Sequence, residues 1–200
     1  MSKSIYIYGA SGHGHVVADI AISCGYEDII FIDDGQNEYP TFEDIKRTNT
    51  IPIAFGIGNN TIRAKLFEKV KNYDFDIVSL IHPGSIISPR VIIGKGTVVM
   101  PNVVVNAKAT IGRGVILNTS CLVEHECVID NFVHISPNVA LAGDVKVGKS
   151  SHIGIGSCVI QGISIGCNCL IGAGSVVVNN YFDNVKAYGN PSKEVGKVNE

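Results

Sequence analysis

The chain has 200 residues, 46% of them hydrophobic and only 17% charged, with a formal net charge of −2. That composition supports a buried core and excludes a disordered segment. It also excludes a nucleic-acid binder that works through a basic surface or an aromatic platform, because aromatics total 7% and Trp is absent. No apolar run reaches the roughly 18 residues of a membrane span. The start, MSKSIYIYGAS, enters a strand pattern without a signal-type apolar stretch, so a cytoplasmic location is expected. The six cysteines are then expected to be reduced, and the Cys167/Cys169 pair lacks a histidine at zinc-ligand spacing.

Residues 1–82 alternate strand and helix. IYIY (5–8) is a short apolar strand and GASGHGH the turn after it. Val17, Ile20, Ala21 and Cys24 recur at helical spacing, and Gly25 is a stop signal. IIFID (29–33) and IPIAFGIG (51–58) read as the next two strands. Asn59 or Asn60 caps a second helix with the stripe Ile62, Leu66 and Val70, and DIVSLI (76–81) reads as a fourth strand. This grammar predicts a small Rossmann-like α/β domain with a parallel sheet.

From residue 83 onward the period is six. Stepping by six from Ile87 to Val177 meets only Ile, Leu or Val at sixteen successive positions, with no insertion. Four residues after each stands mostly a small or β-branched residue, such as Thr97, Ala109, Cys121 or Val133, and Gly often follows the aliphatic position directly. Each hexad makes one short strand and one turn, with the aliphatic residue inward and Gly or Asn supplying positive φ. Three hexads close a triangular coil of eighteen residues, so residues 87–176 give about five coils. The segment 83–200 is thus a parallel β-helix domain whose tail, Tyr188-Gly189-Asn190-Pro191, caps the open end.

This hexad pattern resembles the left-handed parallel β-helix of acyltransferases. The strings IYIYGASGHG, IDD, GIGNN, LIHPGSIIS, NTSCLVEHECVI, FVHISPNVALAGDVKVG and GNPSKEV make the whole chain similar to the sugar-nucleotide acetyltransferases of bacterial glycan synthesis. Within that family the resemblance is to UDP-4-amino-sugar N-acetyltransferases of the bacillosamine pathway, with sialic acid O-acetyltransferases as relatives. It implies acetyl-CoA as co-substrate, a UDP-linked amino sugar as acceptor, and no metal.

The turn Gly9–Gly14 runs GxxGxG and not GxGxxG, which argues against hydride transfer with a dinucleotide. Backbone amides there, with Ser11, Gly12 and His13, suit a nucleoside diphosphate. The resemblance adds contacts from Asp33, Asp34 and Gly58. His125 lies between two glutamates, as suits a general base. The resemblance assigns it that role with Glu126 in support, although Glu124 stands equally close in sequence. In an extended strand both glutamates would face away from His125, so a direct contact needs a corner or a partner chain. His134 and His152 are eighteen residues apart and share one column of the prism, while His125 lies on another. Combining them in one site predicts an oligomer, and a homotrimer suits a three-sided prism. The resemblance places acetyl-CoA against His134, Ile155 and Ala173. Asn118 is a candidate to bind the sugar or to support the base.

The leading expectation is N-acetylation of the 4-amino group of a UDP-linked 4-amino-4,6-dideoxy sugar. Alternatives are O-acetylation of a sialic acid, N-acetylation of a GDP-linked amino sugar, a zinc hydratase on the same prism, and a non-catalytic nucleotide-binding scaffold.

Overall fold

The computed structural model describes residues 3–47 and 50–198. The chain begins as β1 (Ser4–Tyr8), α1 (Gly12–Ser23), β2 (Asp28–Ile32), α2 (Phe42–Ile45), β3 (Ile53–Phe55) and α3 (Asn60–Lys71). The strands form a parallel sheet in the order β2-β1-β3. Val17, Ile20 and Ala21 of α1 are buried as their spacing predicted, and Gly25 follows the helix at φ +83°. The four-residue α2 had no periodic signal, because four residues are too few to show one; Thr41 and Asp44 hold it with a capping box.

Two expectations are corrected here. Residues 76–81 are not a fourth strand of the sheet. Ile77 makes a single bridge to Ile53, and Leu80–Ile81 already pairs with Val98–Val99 inside the prism. The β-helix therefore starts one strand before Ile87. Its three faces carry six, six and five two-residue strands, the first face being extended by the hairpin Val185–Gly189 and Ser192–Lys197. The second correction concerns α3. Asn59 caps it by accepting from Ile62 N, but its buried residues are Arg63, Phe67 and Val70, whereas Ile62 is 49% exposed. The helix is rotated so that a guanidinium faces inward.

In the prism, Val99 through Val177 of the aliphatic ladder are buried. Each contributes on the order of 1.5–3 kcal/mol. The turn chemistry uses two different positions. Positive φ recurs every sixth residue from Gly96 to Gly174, three residues after each aliphatic position. The glycines directly after the aliphatic residues answer a different need. A Cβ on Gly94 or Gly148 would lie 2.6 Å from the backbone of the next coil. Coil-to-coil approach, and not backbone angle, selects glycine there.

The first face runs through Leu80, Val98, Ile116, His134, His152 and Leu170 as outward residues. Leu80, Val98 and Ile116 are buried, and Leu80 lies in the same cluster as α1 and β1 side chains. Outward residues of the second face are Ile86, Val104, Leu122, Ala140, Cys158 and Val176, an apolar row with Ile86 68% exposed. All six cysteines are free.

Candidate active site

Glycine decides the geometry of the turn between β1 and α1. Gly9 has φ +112°, and a Cβ on Gly14 would meet the Gly9 carbonyl oxygen at 2.0 Å. Helix α1 therefore starts directly against the turn. Ser11 is its N-cap residue but makes no side-chain cap, and both Ser11 and Gly12 are exposed. Asp33 braces the turn by accepting from Ala10 N at 2.9 Å and Gly35 N at 2.8 Å. Burial pushes its carboxyl up, but these amides and Asn37 outweigh that and hold its pKa below the usual carboxylate range. Asp34 accepts from Tyr8 Oη at 2.5 Å, Lys69 Nζ at 2.8 Å and Phe42 N at 2.9 Å. Its pKa is likewise low, with burial opposing and the Lys69 and Tyr8 hydrogen bonds prevailing. Both aspartates thus have carboxylate oxygens occupied by donors of this chain.

His13 leads from the turn to the prism. Its ring lies 6.3 Å from that of His134, which stacks on His152 at 4.6 Å with 6° between planes. The column forms because residues eighteen apart stand in register on adjacent strands of the first face. His134 Nε2 lies 3.1 Å from Asn118 Nδ2, and the ring also hydrogen-bonds the backbone of Gly58. His152 Nε2 lies 2.8 Å from Ser136 Oγ. Burial lowers the pKa of His134 to about 3, helped by the charges of His152 and Arg63. Burial and Arg63 lower that of His13 to about 4, and the same two causes lower that of His152. The column is neutral at physiological pH. His13 Nε2 is buried and has no hydrogen-bond partner among the described residues.

His125 occupies the edge between the second and third faces. Its side chain is 60% exposed, and its Nδ1 lies 3.2 Å from Glu126 Oε2. The contact exists because Glu126 has φ +62°, so the chain turns a corner there and the strand alternation no longer applies. Glu124 reaches only the His125 backbone amide, at 3.4 Å. Lys108, one coil below, pairs with Glu126 at 3.3 Å. The hydrogen bonds from His125 and Lys108 keep the Glu126 carboxyl low, so it is ionised at neutral pH. Arg90 and Ala107 complete a shallow recess around the pair. Gly143, one coil above, leaves room for the ring, since a Cβ there would lie 2.6 Å from His125 Cε1 and Nε2.

Ile155 and Ala173 are both exposed and stack one above the other on the edge between the first and second faces, where Gly174 N donates to the Ile155 carbonyl. The sequence-predicted residues thus fall into three groups. Gly58, Asn118, His13 and His134 meet at the junction of the sheet and the first face, with Ser11, Gly12, Asp33 and Asp34 at the adjoining turn. Ile155 and Ala173 lie on one edge of the second face, and His125 with Glu126 on its other edge. Sequence reasoning missed Lys108, Gly143 and Arg63. Among the described residues no group of three or more His, Cys, Asp or Glu is placed to hold a metal ion, and no helix is long and apolar enough to cross a membrane.

Comparison with known proteins extends this geometry. Residues 4–70 match the model of the PglD N-terminal domain. A UDP-N-acetylbacillosamine N-acetyltransferase of Bacillus subtilis is 33% identical over 113 residues, a stretch that spans 49% of this chain and about half (51%) of that curated relative. Among solved structures, a histidine-to-alanine variant of GDP-perosamine N-acetyltransferase from Caulobacter crescentus, in complex with CoA and GDP-perosamine, superposes with TM-score 0.93. It is 34% identical, with 97% of each chain covered. The acetyltransferase domain of PglB from Neisseria gonorrhoeae, in complex with acetyl coenzyme A, gives TM-score 0.91 at 36% identity, covering 98% of this chain and 100% of that one.

Proposed function

The chain belongs to the hexapeptide-repeat sugar acetyltransferases, and from that premise we propose that it transfers the acetyl group of acetyl-CoA to the 4-amino group of a UDP-linked 4-amino-4,6-dideoxy sugar. The observation that carries this reading is the His125–Glu126 pair. An ionised carboxylate 3.2 Å from Nδ1 favours the tautomer with the proton on Nδ1 and leaves the Nε2 lone pair free on an exposed edge.

The neutral sugar amine attacks the thioester carbonyl, forming the N–C bond. His125 Nε2 takes the proton that the nitrogen then carries, and Glu126 stabilises the imidazolium. Collapse of the tetrahedral adduct breaks the C–S bond, and the imidazolium returns the proton to the departing CoA sulfur. Ser11, Gly12, His13 and Gly58 bind the sugar nucleotide, with Asp33 and Asp34 shaping its loop. Asn118 lines the path from the nucleotide, His134 contacts acetyl-CoA, and Ile155 and Ala173 hold its pantetheine arm. The reaction belongs in the cytoplasm, where acetyl-CoA is available.

The two site edges flank the apolar second face, so a homotrimer that buries this face would bring His125 of one chain towards the ligand-binding groups of its neighbour. A guanosine carrier is the second reading, supported by the GDP-perosamine enzyme at 97% coverage.

The test supplies acetyl-CoA with UDP- and GDP-linked 4-amino sugars and their 4-hydroxy counterparts, and follows thiol release. Turnover confined to amino acceptors is expected. The His125→Ala variant should lose about 10²–10⁴-fold in kcat while sedimenting as the wild type does. Full activity in that variant, or turnover of hydroxyl acceptors alone, refutes the proposal.

A further inference from the structure

We propose that Arg63, which nothing above places in the reaction, is a positioning residue that sets the sugar-nucleotide loop in register on the prism. The inference rests on the proposed function for the identity of the ligand, but its geometry stands by itself.

Arg63 is 1% exposed, yet among the described residues no carboxylate is one of its hydrogen-bond partners. Its five N–H groups are all used. Nε donates to the Gly114 carbonyl at 2.7 Å. Nη1 donates to the carbonyls of Ile57 at 2.9 Å and Gly58 at 3.0 Å. Nη2 donates to Asn60 Oδ1 at 2.8 Å and the Phe132 carbonyl at 3.0 Å. Two acceptors thus belong to the loop after β3, and two belong to corners of successive prism coils. A planar fork is needed to reach both sets at once. A lysine ammonium has three donors about one point and cannot.

The position it fixes is the one the ligand groups depend on. Gly58, held through its carbonyl by Nη1, is also the backbone partner of His134, and a Cβ on Gly58 would lie 3.9 Å from the His13 ring. Displacing the loop would therefore move Gly58, His13 and His134 relative to one another. The prism side is specialised for the same contact. Phe132 adopts φ +59°, a left-handed conformation unusual for a bulky residue, and its ring meets Phe67 of α3 edge-on at 5.4 Å. Asn60 doubles the tie, its Nδ2 donating to the carbonyls of Ser150 and Ser151 at 3.0 and 3.1 Å. The uncompensated guanidinium also lowers the pKa of the three histidines it faces, His13, His134 and His152. Removing its charge should shift their titrations upward.

The test compares wild type, Arg63→Lys and Arg63→Met by steady-state kinetics with acetyl-CoA and the preferred amino-sugar nucleotide. The histidine ring titrations are followed by NMR, with circular dichroism as the folding control. Both variants should raise the sugar-nucleotide KM at least tenfold while kcat changes less than threefold, and lysine should not rescue. In the methionine variant the His134 midpoint should move to higher pH. Folded variants with KM within twofold of wild type, or an unmoved His134 midpoint, overturn the assignment. Should the methionine variant fail to fold, Asn60→Ala is read in its place. A KM increase of threefold or more supports the proposal, and an unchanged KM overturns it. Wild-type protein that turns over no amino-sugar nucleotide refutes the proposed function instead, and the titration then decides the role of Arg63 alone.

Discussion

Acidification should unfold this protein earlier than its carboxylates alone would dictate, through the buried imidazoles at the junction. His13 and His134 titrate in the folded state near 4 and 3, against 6.5 for a free imidazole. The groups facing them are His152, Arg63, Asn118 and the Gly58 backbone, none of which is acidic. The sign follows directly. Below pH 6.5 the unfolded chain binds protons that the folded chain refuses, so stability is complete above that value and declines as pH falls towards 4. Each fully shifted imidazole gives a slope of about 1.4 kcal/mol per pH unit. Discounted for partial solvent access, the two together cost on the order of 3–5 kcal/mol over this window, a large share of a typical domain's stability. The carboxylates of Asp33 and Asp34, whose pKa values are lowered, add their loss only further down. Urea unfolding followed by far-UV circular dichroism at pH 7.5, 6.5, 5.5 and 4.5 measures the slope. A double variant, His13→Gln with His134→Gln, should be flatter than wild type through the same range. A wild-type midpoint that does not move between pH 7.5 and 4.5, or a double variant with the wild-type slope, would show that the column is not a set of neutral buried rings.

Two glycines give sharper tests of local geometry. Gly143→Ala places a methyl group 2.6 Å from the His125 ring, and the ring, being exposed, can swing away without unfolding the coil. A displacement of about 1 Å should lower kcat roughly 10²-fold with little change in melting temperature; unchanged kcat would show that the ring position is not set by Gly143. Gly14→Ala drives a methyl group to 2.0 Å from the Gly9 carbonyl, where backbone and not a flexible side chain must yield. A loss of about 3 kcal/mol or more is expected by thermal or chemical unfolding, and a variant as stable as wild type would mean that α1 does not start against the turn.

The prism was legible because its repeat is long and uninterrupted, and a one-residue error would expose every aliphatic side chain in it. The sheet was legible from Gly25, Asn59 and the apolar runs of β1, β2 and β3. The segment 76–81 misled because an apolar run of that length suits either a sheet strand or the first prism strand, and only pairing partners decide. The inward face of α3 was hidden for a different reason. Ile62 and Arg63 are adjacent, and hydrophobic spacing naturally selects the isoleucine. Arg63 is buried instead because backbone carbonyls from two elements converge on it, a circumstance no local pattern encodes. His125 and Glu126 were found by residue type, but their contact depends on the corner between them.

The repeat nevertheless carries a clue to function in its exceptions. The left-handed position recurs every six residues from Gly96 to Gly174, and its occupants are Gly, Asn, Asp or Ser everywhere except Lys108, Glu126 and Phe132. The usual occupants are the residues that tolerate positive φ or stabilise turns locally. A lysine, a glutamate or a phenylalanine is placed there against that preference, so each requires a compensating contact. Lys108 and Glu126 pair with each other beside His125, and Phe132 gives its carbonyl to Arg63 and its ring to Phe67. The three departures therefore fall at the proposed base and at the proposed loop anchor, and at no other corner. In a fold whose every coil solves the same packing problem, local strain that the repeat does not need is the residue-level trace of a task other than folding.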